Sequence, residues 1–376
     1  MDVARIENLF RENFTRFGDL GASLSVWRDG REVISLAGGW RDRDRTLPWT
    51  AATPVLVWSA TKGHAAACVL HAMQSHSLTM ETRVAEVWPE FAAHGKGEIT
   101  IGQALSHQSG VPALDRAADV LDHAEVARAI AEQVPMWEPG TAHGYGPRLF
   151  GFLLDELVRR IAGRTLGEYW RTEFAEPLAL DFWIGVPADA VENVAPIFPP
   201  KTAPPKDRFY TAFVTPGSLT LRAFGSPAGL KSVAEMNAPA GRRASLPGFG
   251  GIGTAAALAK FYAMLACGGS LDGRAFFKAE TLAWMQRTLV QGDDRVLLTE
   301  TAFSAGFMRD PLSTDGEKLR AIFGPSPSAF GHPGAGGSHA FADPEHGIAF
   351  SYVMNQMEPG VLPGAKALRL VEAIFA

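Results

Sequence analysis

Val55-Leu56-Val57-Trp58-Ser59-Ala60-Thr61-Lys62 is the stretch on which the reading of this chain turns. A short apolar run ends at a serine, and residues 60 to about 74 are good helix formers. Ser59 therefore stands at or just before a helix N-terminus. Ser59 and Lys62 are three apart, so on a helix they share a face and the amine can reach the hydroxyl. A serine hydroxyl is a weak nucleophile until a base accepts its proton. A lysine serves as that base only if its pKa falls well below roughly 10.4, through desolvation or nearby positive charge. Val57, Trp58 and the alanines 65–67 offer desolvation, and the positive end of the helix dipole favours negative charge at the hydroxyl. Four-residue patterns of the form S-x-x-K also recur by chance, and a capping serine beside an exposed lysine is the other explanation.

Working outward, residues 22–28 and 32–37 flank Asp29-Gly30, a strong hairpin signal. Val3, Ile6, Phe10, Phe14 and Phe17 recur at helical spacing and predict an amphipathic first helix. Helical apolar spacing returns at 101–105, 124–133 and 148–161. Prolines at 187, 196, 199, 200, 204, 205 and 216 make regular structure unexpected across 187–216, yet Phe198, Phe209, Tyr210 and Phe213 are interspersed. That segment is either a long surface connection or a wall or lid over a cleft. Gly250-Gly251-Ile252-Gly253-Thr254 precedes a helix at 255–266 and is not a phosphate loop, since it lacks the lysine such loops carry. Two strands at 338–342 and 348–355, joined through Asp343-Pro344-Glu345-His346-Gly347, predict a second hairpin before a last helix at 364–375. Strands at both ends with helices between predict a two-lobed α/β fold. The antiparallel sheet would be built from the N- and C-terminal segments, flanked by helices, with residues 1–80 and 241–376 in one domain. A mainly helical lobe would be inserted at 81–240.

Composition narrows the classes of partner. The chain has 376 residues, 47% hydrophobic and 20% charged, which suits a globular protein of two lobes rather than a disordered one. Net charge is −5 and no Lys/Arg run resembles a nucleic-acid footprint, so no nucleic-acid partner is expected. No stretch approaches the roughly 18 apolar residues that span a bilayer. The first residues lack the basic and apolar regions of a secretory signal, which predicts a cytoplasmic protein. Cys68 and Cys267 are the two cysteines; nothing calls for a disulfide between them, and nothing excludes one. The histidines are scattered without ligand spacing, so neither metal nor cofactor is expected.

Two further places carry chemistry. Trp137-Glu138-Pro139-Gly140-Thr141 leads into Tyr145-Gly146-Pro147 ahead of a helix. A tyrosine in such a turn can aim its hydroxyl into a cleft, or can be a core residue with its hydroxyl satisfied. Gly331-His332-Pro333-Gly334-Ala335-Gly336-Gly337 ends a loop and opens a strand, where glycines let a carbonyl approach free backbone N–H groups. Together with Leu105-Ser106-His107-Gln108-Ser109-Gly110, these residues resemble the serine β-lactamase and penicillin-binding-protein superfamily, and most closely class C β-lactamases and family VIII carboxylesterases. The resemblance spans nearly the whole chain and keeps the order: Tyr145 follows Ser59 by about 85 residues and His332 by about 270. It implies that Ser59 is the nucleophile and that Lys62 and Tyr145 handle protons. It also implies an oxyanion hole from the N–H groups of Ser59 and Ala335, with His332 and Gly334 at the substrate.

Two departures shape the expected activity. The family's Tyr-x-Asn is Tyr145-Gly146-Pro147, and proline offers no side-chain hydrogen bond to an amide. The family's Lys-Thr-Gly is His332-Pro333-Gly334, and histidine is mostly neutral near pH 7. The pattern resembles the esterase branch and implies hydrolysis of small or short-chain esters through an acyl-enzyme. The alternatives are a β-lactamase, D-amino-acid peptidase or oligoamide hydrolase, an acyltransferase, and a catalytically silent binding protein. A rival nucleophile at Ser338, in Gly336-Gly337-Ser338-His339-Ala340, sits between loop and strand instead of between strand and helix. His107 reads as structural.

Overall fold

The computed structural model describes residues 1–376. An eight-stranded antiparallel sheet runs Arg31–Gly39, Gly21–Arg28, Ile348–Met354, His339–Asp343, Phe330–Pro333, Met308–Arg309, Glu300–Phe303 and Val290–Asp293. The two ends of the chain thus pair within the sheet, as its second and third strands, with Leu24 opposite Tyr352. Asp29 and Gly30 both take positive φ, the backbone that a tight hairpin demands. Ile348–Met354 is buried along its whole length because both faces of the sheet are covered. Ala349 and Val353 join the core cluster of the helix Ala255–Ala266, while Phe350, Tyr352 and Met354 join that of the terminal helices Val3–Thr15 and Ala365–Phe375. In the first helix Ile6 and Phe10 are core residues; Val3, expected on the same face, is exposed.

The helix Thr61–Ser75 lies at the centre of the molecule. Ala65-Ala66-Ala67-Cys68 keeps its girth small, and it packs against the helix Leu149–Ala162. A three-stranded sheet of Val55–Leu56, Gly251–Gly253 and Phe182–Ile184 leads the chain into it. The segment 187–216 is more regular than its prolines suggest. A 3-10 turn occupies Val191–Asn193, and an α-helix occupies Arg208–Val214 in the proline-free stretch after Pro205. Asp207 starts that helix by accepting the Tyr210 N–H at 2.8 Å. A second short helix, Leu219–Gly225, is capped by Ser218. Both cysteines are free. No helix is long and apolar enough to cross a membrane.

Candidate active site

Ser59 lies in a 3-10 turn, Trp58–Ala60, that runs straight into the helix Thr61–Ser75. Trp58 is held at φ +48°, a left-handed conformation that a tryptophan adopts at a cost in strain. Two contacts brace the turn: the Thr61 hydroxyl donates to the Trp58 carbonyl and accepts the Gly251 N–H at 2.8 Å. No side chain caps the helix, so Ser59 is not spent as a cap, and Lys62 is buried rather than exposed. The capping explanation of the motif therefore fails.

The Lys62 amine sits 3.3 Å from the Ser59 Oγ and 2.7 Å from each of two backbone carbonyls, Pro147 and Gly248. Burial drives its pKa well below the ordinary lysine value, and the positive charge of Arg148 adds to the effect. A neutral amine has two N–H bonds and one lone pair. With both N–H bonds given to the carbonyls, the lone pair is left facing the serine hydroxyl.

Tyr145 is buried with its ring centroid 4.8 Å from the Lys62 Nζ. Its turn is held from behind: the buried carboxylate of Asp294 accepts the Tyr145 N–H at 3.1 Å, along with those of Val296 and Leu297 at 2.8 Å. His107, itself at φ +61°, accepts the Gly146 N–H at 3.2 Å through Nδ1, which makes Nε2 the protonated nitrogen of the neutral ring. Burial raises the Tyr145 phenol above its usual value, offset in part by the nearby Ser59 hydroxyl. The tyrosine is therefore a protonated phenol near neutral pH, not a ready-made phenolate.

His332 and Gly334 are placed behind the site rather than in its opening. The His332 ring lies 5.8 Å from the Tyr145 ring at 28°, and its Nδ1 meets the Pro333 carbonyl at 2.8 Å. Burial first, then the proximity of Lys62, push its pKa to about 3, so it carries no charge at neutral pH. Gly334 must be glycine, because a Cβ there would fall 2.0 Å from the Val57 carbonyl oxygen. Ala335 reaches the opening with Ser59. The Ala335 N–H takes no backbone acceptor, and the Ser59 N–H lies in a first turn, where no helical acceptor exists. Ser338 is buried away from the cleft.

The opening is a cavity of about 370 Å³ with Ser59 and Ala335 on its lining. Trp58, Arg148, Phe249 and Met357 line it, and Phe213 and Phe224 contribute from the segment 200–225. Of the two readings of the proline-rich segment, the wall over a cleft is the one observed. The sequence did not single out Arg148, Asp294 or the carbonyls of Pro147 and Gly248. Backbone acceptors carry no residue signature, and an acid 149 positions away from the tyrosine it supports shows no local pattern.

Known proteins share this sequence pattern and fold. The chain matches the Beta-lactamase family over residues 10–373. It is 35% identical over 356 residues to the esterase/beta-lactamase LipL of Mycobacterium tuberculosis, covering 91% of this chain and 78% of that protein. A penicillin-binding protein homolog from Caulobacter crescentus superposes with TM-score 0.87 at 35% identity, covering 99% of this chain and 96% of the other. A family VIII carboxylesterase does so with TM-score 0.88 at 33% identity, covering 98% and 96%. The chain belongs to the β-lactamase family of serine hydrolases.

Proposed function

We propose that the chain is a serine carboxylesterase that cleaves small or short-chain esters through an acyl-enzyme on Ser59. The observation that carries this is what occupies the two substrate-gripping positions of the family. Pro147 turns its carbonyl onto Lys62, and His332 is buried and neutral. Neither offers the amide contact or fixed positive charge that a β-lactam would use, while the groups for acyl transfer are all present. Relatives described as an esterase/beta-lactamase and as a family VIII carboxylesterase support the same reading.

In acylation the Lys62 amine takes the Ser59 proton as Oγ attacks the ester carbonyl. The N–H groups of Ser59 and Ala335 receive the developing oxyanion. As the C–O bond to the alcohol breaks, the Tyr145 phenol gives its proton to the departing alkoxide and recovers one from the Lys62 ammonium. In deacylation the same pair takes a proton from water and returns one to Ser59, which restores the starting state. The shifts set the resting states, with the amine free to accept and the phenol holding a proton to give, and they favour return of a proton from the Lys62 ammonium to the Tyr145 phenolate.

Turnover of p-nitrophenyl acetate and butyrate tests the proposal. Ser59→Ala is expected to lower kcat/KM by about 10⁴-fold or more, because nucleophile and base act as one unit. Full turnover in Ser59→Ala overturns it. Nitrocefin hydrolysis as fast as that of good esters would move the reading to a β-lactamase.

A further inference from the structure

The cavity above Ser59 holds more apolar space than a short-chain ester fills. An enclosed apolar cavity of roughly 150 Å³ already accepts benzene; this one has about 370 Å³. The polar groups on its lining are largely committed within the protein. Arg148 donates to the carbonyls of Gly229 and Leu230 through its two terminal nitrogens, leaves only Nε without a partner, and lies 4.4 Å over the Phe249 ring. Glu358 accepts the Gly364 N–H at 2.7 Å. Lys231 stands exposed at the rim. Recognition inside the cavity therefore falls mainly to apolar contact.

That contact is predominantly aromatic. Phe213 and Phe224 meet edge to face at 5.2 Å, and Phe209 meets Phe224 edge to face at 5.6 Å. The trio spans both short helices of the segment, Arg208–Val214 and Leu219–Gly225, and packs them into one unit. Phe213 and Phe224 are only partly buried, so their rings still have apolar surface to cover. Flat aromatic guests complete such edge-and-face arrangements better than methyl groups do.

Resting on the esterase reading, we infer that the preferred substrates are esters with a ring-sized apolar group, up to naphthyl in size, seated against Phe213 and Phe224. An acetyl or ethyl group alone leaves that wall untouched and gains nothing from it. A single methylene in an apolar pocket changes kcat/KM by about tenfold or more, so a seated ring has ample leverage.

Three esters of unactivated primary alcohols separate the possibilities: ethyl acetate, 2-naphthylmethyl acetate and ethyl 2-naphthylacetate. At least one naphthyl ester is expected to exceed ethyl acetate in kcat/KM by about 100-fold, and the arm that does so tells whether the ring sits on the alcohol or the acyl side. Phe224→Ala is expected to shrink that ratio by about tenfold or more. If both naphthyl esters fall at or below ethyl acetate while turnover still depends on Ser59, the inference is overturned and the esterase reading stands. An unchanged ratio in Phe224→Ala overturns the assignment to this wall. If no ester is turned over, or Ser59→Ala keeps full turnover, it is the esterase reading that fails. Should Phe224→Ala not fold, 2-naphthylmethanol is tested on the wild-type enzyme. Competitive inhibition at least about 100-fold stronger than that by ethanol supports the inference, and inhibition no stronger than ethanol's overturns it.

Discussion

The cradle around Ser59 and the aromatic wall at 200–225 border the same cavity but are built on opposite terms. In the cradle the groups facing Ser59 are buried and bonded: Lys62 to two carbonyls, the Tyr145 turn to Asp294, the Gly146 N–H to His107. The wall is two short helices joined by three phenylalanines, capped by Asp207 and Ser218, and tied to the Asp294 loop by the bond from the Thr220 hydroxyl to the Val296 carbonyl at 2.7 Å, with Phe213 and Phe224 half open. Chemistry needs atoms held within a fraction of an ångström and shifted pKa values, which only a dry, fully bonded setting supplies. Selection of an apolar group needs only area of roughly the right shape, so the wall can be thin and locally stabilised.

The contrast can be broken most severely at Lys62. Lys62→Met is expected to lower ester kcat/KM by about 10³-fold or more in steady-state assays. The same variant tests whether the amine is neutral in the folded state. Its folded pKa is depressed, so between that value and the unfolded value of roughly 10.4 the unfolded chain binds one more proton at this site. Wild-type stability should therefore rise relative to Lys62→Met as pH increases across that window, as read from denaturant midpoints at each pH. Parallel stabilities from neutral pH to pH 10 would show that the amine keeps its proton on folding.

A milder change probes the charge that assists it. Arg148 opposes protonation of Lys62, so Arg148→Met is expected to raise the lysine pKa. The acid limb of kcat/KM should move to higher pH, with about a few-fold loss on that limb and little at alkaline pH. An equal loss at every pH would reduce Arg148 to a packing role over Phe249. The smallest effect belongs to the wall. Removing the cap with Asp207→Ala should cost about 1 kcal/mol in the short helix Arg208–Val214. Proteolysis there should quicken while p-nitrophenyl acetate turnover stays within about threefold, provided the wall folds independently of the cradle.

The order of motifs made much of this legible in advance. Ser59, Lys62 and Tyr145 could be singled out because the residue types for such chemistry are restricted and their settings are local, and the structure brings the three together. The hairpin at Asp29-Gly30 and the helices near 60–75 and 255–266 were legible for the same reason, since their signals lie within a few residues. Residues 208–214 form a helix despite the neighbouring prolines, because Asp207 caps it and Phe209 and Phe213 pair one turn apart. The neutrality of His332 is legible in its residue type, whereas its place behind Tyr145 is not, since burial is not written in a tripeptide.

What the sequence determined by itself was therefore the kind of chemistry and the family frame that holds it. Only the tertiary structure decided the surroundings of Lys62. Its two carbonyl partners lie 85 and 186 positions away, and they meet the amine only because three separate segments converge on one dry point. The shape of the cavity is likewise a product of convergence, with Trp58, Phe249 and Met357 joined by rings from 200–225. Residue type and local spacing are written along the chain, whereas desolvation and enclosure arise between segments and exist only once the chain has folded.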